Sequence, residues 1–436
     1  MAIAMDIGTR YARIARIGHD GAPQLAALPG SVPGEGLPLQ TGAGSHRSAS
    51  LRTAYTAYCA HFGAPDRVVL VVPQEGRADY ARRAVDTLTA AHDADRAPEI
   101  RALSTPHAVL ALLRHTGTVT AGRYTVCDLG ATAAEVSVCA LTGASVAVVA
   151  GGRYAPTDGY GAGFDAALLA GAGLPDDEQA HRALAAVRAE DGAGLRLELA
   201  VGRAERDPER YDDPVHQVSG REITAGVVRR ALGRLTAGAD RALDDAVGGT
   251  SVPPVIAAGG MARLRPLERH LAARQGAVVA LPTGTDPALA AVFGAALVAA
   301  GRIDPGDRYP HAVCVATHRT VGGEPHSEEL VITPAGALEP GGPTVFAEHA
   351  GHRVRVRPGV GAPRPVRVRV RDTDGRATAP VSILTVPGGS PGDRFHVGVR
   401  IDADGTARLV LHPVGSGTPA EFPLGTLPTD LKGARS

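Results

Sequence analysis

One short pattern occurs twice in this chain and limits what it can fold into. Asp6-Ile7-Gly8-Thr9 ends one apolar run, and Asp128-Leu129-Gly130-Ala131 ends another, 122 residues later. In each, a carboxylate closes a strand-like run and a glycine allows a tight reversal into a second run. The first run is apolar almost throughout, which suits a central strand covered on both faces. Turns of this kind can aim consecutive backbone N–H groups at an anion. An aspartate there repels phosphate, so its fitting task is to hold Mg²⁺, usually through water, while the turn amides hold phosphate oxygens. The same letters also fit two ordinary hairpins whose aspartates cap local amides.

A third element follows in Ala257-Ala258-Gly259-Gly260-Met261-Ala262-Arg263, set between an apolar strand and a helix. Its glycines allow close backbone approach to a planar ligand, which Arg263 could stack on or bracket. A glycine pair before a helix also serves purely structural ends. Around these turns, strands such as 67–73 alternate with helical patterns at 51–62, 76–92, 106–115, 178–206, 222–247, 264–274 and 286–300. That alternation predicts an α/β region over 1–305. A connector at 306–311 leads to short alternating runs, expected as an antiparallel β domain over 312–415, with an irregular tail at 416–436. Val354 and Val356 alternate with Arg353, Arg355 and Arg357, placing valines inward and arginines outward. Asp402–Gly405 reads as a hairpin turn.

Composition removes several alternatives. The 45 basic and 45 acidic residues cancel, so no global field draws the chain to nucleic acid or an anionic membrane. Its single lysine, Lys432, excludes mechanisms built on a central lysine. Four cysteines form neither a disulfide framework nor a paired metal motif. The opening residues lack an export signal and no long uninterrupted apolar span occurs, so a cytoplasmic protein is expected. The cluster from Arg353 to Arg371 reads either as a solvated sheet face or as a docking surface for an acidic segment. Gly159–Asp165 lacks the spacing of a dinucleotide loop.

The ordered trio of glycine turns resembles the actin/sugar-kinase/heat-shock ATPase superfamily, and specifically the seventy-kilodalton heat-shock chaperone family. DIGT at 6–9 is similar to its first phosphate loop, DLGATAAEVS at 128–137 to its second, and VIAAGGMARLRPLERHL at 255–271 to its adenosine motif. VLVVPQEGRADYARRAV at 69–85, DPALAAVFGAAL at 286–297 and RFHVGVRIDADGTARLV at 394–410 extend the likeness in order along most of the chain. The resemblance implies a two-lobed actin-like α/β ATPase fold followed by an antiparallel β-sandwich. It implies ATP/ADP and Mg²⁺ as cofactors. Asp6 and Asp128 would serve the metal, and Gly8, Thr9, Arg10, Gly130, Ala131, Thr132, Gly161, Gly259, Gly260 and Arg263 the nucleotide. Gly161 falls where the family has a phosphate-side loop before a helix.

Departures accompany the likeness. No lysine stands in the early part of the first lobe, and the 19–66 connection is short, implying a reduced subdomain. Thr105 stands where the family has a catalytic glutamate. Arg10 and Tyr11 replace Thr and Asn in the first loop, and Ala133 replaces a threonine in the second, where Glu135 keeps an acid. Arg10 reads either as a phosphate ligand or as a solvated turn residue. No helical lid follows the β domain. The expectation is a divergent, lidless chaperone-like protein that binds ATP, hydrolyses it slowly or not at all, and binds extended protein segments. The alternative is a non-hydrolysing scaffold whose β domain docks one fixed partner.

Overall fold

A computed structural model describes the chain except residues 40–46, 76, 92–96, 143–144, 191, 249–251, 276, 307, 323, 358–360, 362, 373–377, 391, 403–404, 416, 429–430 and 432–436. The chain forms two compact units, Met1–Gly143 with Ala150–Pro305, and Ala144–Val149 with Gly306–Ser436.

In the first unit, β1 (Ala2–Ile7) runs antiparallel to β2 (Tyr11–Ile17), whose other side carries β3 (Pro23–Leu25) and β4 (Leu37–Pro38). After α1 (Arg47–Phe62), β5 (Arg67–Val72) pairs parallel with β1. After α2 (Arg77–Thr89), β6 (Glu99–Ser104) pairs parallel with β5. Helix α3 (Thr105–His115) leads to β7 (Gly122–Leu129), β8 (Ala134–Thr142) and β9 (Ser145–Tyr154), of which residues 150–154 belong to this unit. Then come α4 (Tyr160–Gly171), α5 (Glu178–Ala189), α6 (Ala193–Arg206) and a hairpin of β10 (Pro214–Val218) and β11 (Arg221–Thr224). The long α7 (Ala225–Val247) precedes β12 (Val255–Ala258), which pairs parallel with β7, and α8 (Arg265–Gln275) and α9 (Ala290–Ala299) complete the unit.

The two main sheets repeat one neighbour pattern, β3-β2-β1-β5-β6 and β9-β8-β7-β12. In both, the strand whose penultimate residue is aspartate has an antiparallel hairpin partner on one side and a parallel strand on the other. β1 buries four of its six residues and β5 five of six, with none fully exposed, as suits strands covered on both faces. Helix α9, apolar all round, packs on β1, β2 and β5 and against α3. Gly294 makes that helix contact possible, since a Cβ there would lie 1.8 Å from the Ala108 carbonyl oxygen.

Three elements differ from the sequence expectation. The helical pattern at 178–206 is two helices, because the chain turns at Gly192, whose φ of 75° suits glycine. The helix expected from 222 starts at Ala225, after a strand. Strand β10 lies between the helical patterns at 178–206 and 222–247, where no strand was expected.

The second unit contains β13 (Ala312–Val321), β14 (Glu324–Thr333), β15 (Val345–Phe346), β16 (Glu348–His349), β17 (His352–Arg353), β18 (Arg355–Val356), β19 (Arg364–Arg371), β20 (Thr378–Val386), β21 (Phe395–Ile401), β22 (Thr406–Pro413) and β23 (Ala420–Thr426). Two antiparallel sheets, β14-β13-β19-β20 and β15-β21-β22-β23, contribute inward residues to one core that includes Val313, Val368, Val370, Val399 and Leu409. On β19 valines and arginines alternate, with Val368 and Val370 buried and Arg364, Arg367 and Arg369 exposed. The 353–357 run is broken into short pieces, and Arg353 lies over the Phe346 ring at 4.5 Å. At 402–405, Gly405 N–H donates to Asp402 O at 2.9 Å; Ala403 and Asp404 lie outside the described residues.

Two boundaries change. Tyr309, expected in a connector, is buried in the core and its hydroxyl donates to Pro428 O at 2.7 Å. The tail expected to be irregular holds β23, with Leu427 and Leu431 in the same core. Its prolines misled the reading: Pro423 sits on an edge strand beside a register shift, where a missing N–H is tolerated.

Candidate functional site

The two Asp-Gly turns are built alike. Ile7 pairs with Ala12, and Gly8 N–H donates to Tyr11 O at 3.0 Å. Leu129 pairs with Ala134, and Gly130 N–H donates to Ala133 O at 2.9 Å. Each hairpin therefore has the same four-residue loop closed by the same bond.

The first turn of α4 fixes the orientation of the second loop. Tyr160, Gly161 and Ala162 donate their amides to the carbonyls of Thr132, Gly130 and Ala131 at 3.2, 3.3 and 2.9 Å. In a trans peptide the N–H points opposite the C=O, so the amides of Ala131, Thr132 and Ala133 are directed away from α4. Three consecutive donors on one side of a loop form an anion-binding concavity. Close packing of the loops requires glycine at several points, Gly161 and Gly259 among them. A Cβ on Gly161 would lie 2.9 Å from Gly130 O and 2.6 Å from Met261 Sδ. One on Gly259, which has φ +88°, would lie 2.6 Å from Leu129 O.

These loops face a cavity of about 760 Å³, within the size range of small-molecule sites. It lies at the carboxyl ends of β1, β5, β7 and β12, the usual ligand position in sheets with parallel strands. Asp6, Gly8, Thr9, Arg10, Asp128, Gly130, Ala131, Thr132, Gly161, Gly259, Gly260 and Arg263 all line it. Gly260 differs from the other glycines, because a Cβ there would meet nothing within 4 Å. Its lack of a side chain leaves room in the cavity instead of relieving a clash.

Three carboxylates gather at one end. Asp128 and Glu135 are cross-strand partners, and Asp6 lies close enough to act on Asp128. Burial first, then repulsion from Glu135 and Asp6, pushes the Asp128 carboxyl up to about 7, against the opposing pull of the Thr105 hydroxyl and Arg13. The Thr105 side chain hydrogen-bonds to Asp128. Glu135 accepts from Gln74 N–H at 3.3 Å and pairs with Arg153 at 3.3 Å.

Among the described residues, no group of three or more His, Cys, Asp or Glu side chains is arranged to hold a metal ion. Asp6 and Asp128 offer two hard oxygen donors in a locally repulsive setting. That suits Mg²⁺, which keeps most of its water and takes further oxygens from phosphate. The fit has a competitor, since Arg13 Nη1 lies 3.6 Å from Asp6 Oδ2.

The two arginines marked for the ligand are engaged with protein carboxylates. Arg10 pairs at 2.5 Å with Asp165, a residue 1% exposed on α4, which also holds Arg188 of α5 at 2.5 Å. Arg10 is therefore neither a solvated turn residue nor turned wholly to the cavity. Arg263 pairs with Asp286 at 2.7 Å and with Glu35. Burial disfavours its charge, but the Asp286 and Glu35 carboxylates outweigh that and raise its pKa.

Sequence reasoning missed Glu35, Arg13, Arg188 and His216. Glu35 sits between Gly34 and Gly36 in the short connection at 19–66, and that flanking pair was its signal. His216 lines the cavity from β10, and no local pattern marks it. It is 5% exposed and neither ring nitrogen finds a partner. Burial, with Arg188 and Arg196 nearby, pushes its pKa down to about 4. Because the folded value lies below the unfolded one of about 6.5, the folded state takes up the proton last. Stability should hold above pH 7 and fall between about pH 6.5 and 4, by at most about 3 kcal/mol. Melting curves across that window should show a shallower acid limb in His216→Gln than in the parent.

No helix among the described residues is long and apolar enough to cross a membrane. No protein-family model matches the sequence. No curated protein matches it either.

Proposed function

We propose that the first unit binds an adenine nucleotide with Mg²⁺ in this cavity, in a divergent member of the actin-like heat-shock ATPase class. The observation that carries the reading is the convergence of two like-built Asp-Gly turns and a Gly-Gly turn on one cavity, though the turns are more than a hundred residues apart. Amides of the second loop supply phosphate donors, Gly260 leaves room for a planar group, and Asp6 and Asp128 hold the cation. The cation would neutralise phosphate charge; the chain's own residues bind and orient. Hydrolysis is slow or absent, because Thr105 offers no carboxylate to organise water and no lysine is among the described residues that line the cavity.

In this reading the second unit, a β-sandwich, binds extended protein segments and the nucleotide regulates their access. Its support is β20, the last strand of its sheet, where Ile383 is 66% exposed; strand edges recruit extended peptides through backbone bonds. The exposed arginines of β19 favour acidic segments. One observation favours the scaffold instead: Arg10 and Arg263 already have protein partners, so the cavity balances much of its charge internally.

Calorimetry on the full chain with ATP, ADP and adenosine, with and without Mg²⁺, tests the reading. Binding at millimolar concentration or tighter is expected, with the Mg²⁺ dependence reduced at least about tenfold in Asp128→Asn. Phosphate release should stay near background. No nucleotide binding at millimolar levels rejects the proposal and selects the scaffold. Peptide affinities identical with and without ATP would remove the coupling alone.

A further inference from the structure

Five charged side chains alternate in sign along one wall of the cavity. Asp6 faces Arg13 at 3.6 Å, Arg13 faces Glu35 at 3.7 Å, Glu35 pairs with Arg263, and Arg263 pairs with Asp286 at 2.7 Å. All five line the cavity. Among these five side chains, Glu35 is the anion that touches both arginines.

We propose that Arg13 and Arg263 form a subsite for a phosphate group of the ligand, and that Glu35 is a built-in carboxylate which that phosphate must displace. The proposal rests on the nucleotide reading for the ligand's identity, but not for the chemistry of the subsite.

Arg13 has unused capacity. Both of its carboxylate contacts exceed 3.5 Å, its side chain is 12% exposed, and its buried Nε has no partner. Guanidinium donors suit the planar, bidentate recognition of phosphate. Arg13 is fixed on β2, directly across from Asp6.

Glu35 is the anion that can leave. Asp286 is held twice over, by Arg263 Nε at 2.9 and 3.0 Å and by Ala288 N–H at 2.8 Å. Asp6 lies within a paired strand. Glu35 instead sits on a turn between Gly34 and Gly36, with φ of +74° and +105°. Backbone bonds, Glu35 N–H to Val32 O at 3.1 Å and Val32 N–H to Gly36 O at 2.8 Å, hold that turn. The side chain can therefore swing away without undoing the loop. An internal carboxylate on two arginines raises the barrier to every competing anion and lowers the net affinity for the right one.

The test is calorimetric titration of the full chain with inorganic pyrophosphate and, separately, adenosine. Glu35→Gln should bind pyrophosphate at least about tenfold more tightly than the parent, with adenosine unchanged. Glu35→Asp, which keeps the charge but shortens its reach, should give a smaller gain, and it guards against a folding defect in the first variant. Adding Arg13→Gln should abolish the gain, and added salt should shrink it. Equal pyrophosphate affinity in parent and Glu35→Gln, or a gain that survives Arg13→Gln, overturns the proposal. Tighter pyrophosphate with no adenosine binding in any form would uphold the subsite and reject the nucleotide reading. Nucleotide binding indifferent to Glu35 would do the reverse.

Discussion

Asp165→Asn should destabilise the first unit by about 3 kcal/mol, the low end of what breaking a buried ion pair costs. The carboxylate is 1% exposed and lies between Arg10, from the first loop, and Arg188, from α5. Removing its charge leaves two guanidinium groups facing one another across a neutral amide. Their side chains retain 26% and 21% exposure, so water relieves part of the repulsion and keeps the loss from reaching 5 kcal/mol. Arg10→Gln should cost less, because Asp165 keeps Arg188. The comparison is made by chemical unfolding of each variant and the double mutant. Additive losses would show that Arg10 and Asp165 do not act on each other.

The second large effect separates two adjacent glycines. Gly259→Ala should cost about 3 kcal/mol, since φ of +88° disfavours any L side chain and the new Cβ would lie 2.6 Å from Leu129 O and 2.7 Å from Asp128 Oδ1. Gly260→Ala should leave stability within about 0.5 kcal/mol, since its Cβ would meet nothing within 4 Å. It should nonetheless weaken adenosine binding, by at least about tenfold, because the methyl group occupies cavity space. Melting temperature and calorimetry on the pair read the two effects separately. A Gly260→Ala protein that binds as well as the parent would remove this turn from the ligand surface.

The legibility of the site follows the range of the interactions that make it. Asp6-Gly8 and Asp128-Gly130 were readable because a strand end, a tight reversal and a glycine lie within four letters. The turn at Gly259 was readable for the same reason. What Arg10 and Arg263 would touch was not, since Asp165 and Glu35 are 155 and 228 residues away from them and nothing local records the meeting. Arg13 looked like one polar residue in a strand; only its register opposite Asp6 gives it a role. In the second unit the valine–arginine alternation of β19 announced its buried face. The strand at 420–426 went unread because proline argues against a central strand, and edge position is a property of the finished sheet.

The bonds from the start of α4 to the carbonyls of Gly130, Ala131 and Thr132 carry a consequence for inheritance. They fix the loop's donors through the main chain, and the main chain is common to all residues. Side chains at Ala131 and Thr132 can change without altering which way an amide points, provided the loop keeps its dihedral angles. Only the closely packed positions, such as Gly161 and Gly259, are held to one letter. A cradle of this kind tolerates wide divergence around a few fixed points, so descent through it is better traced by backbone geometry than by residue identity.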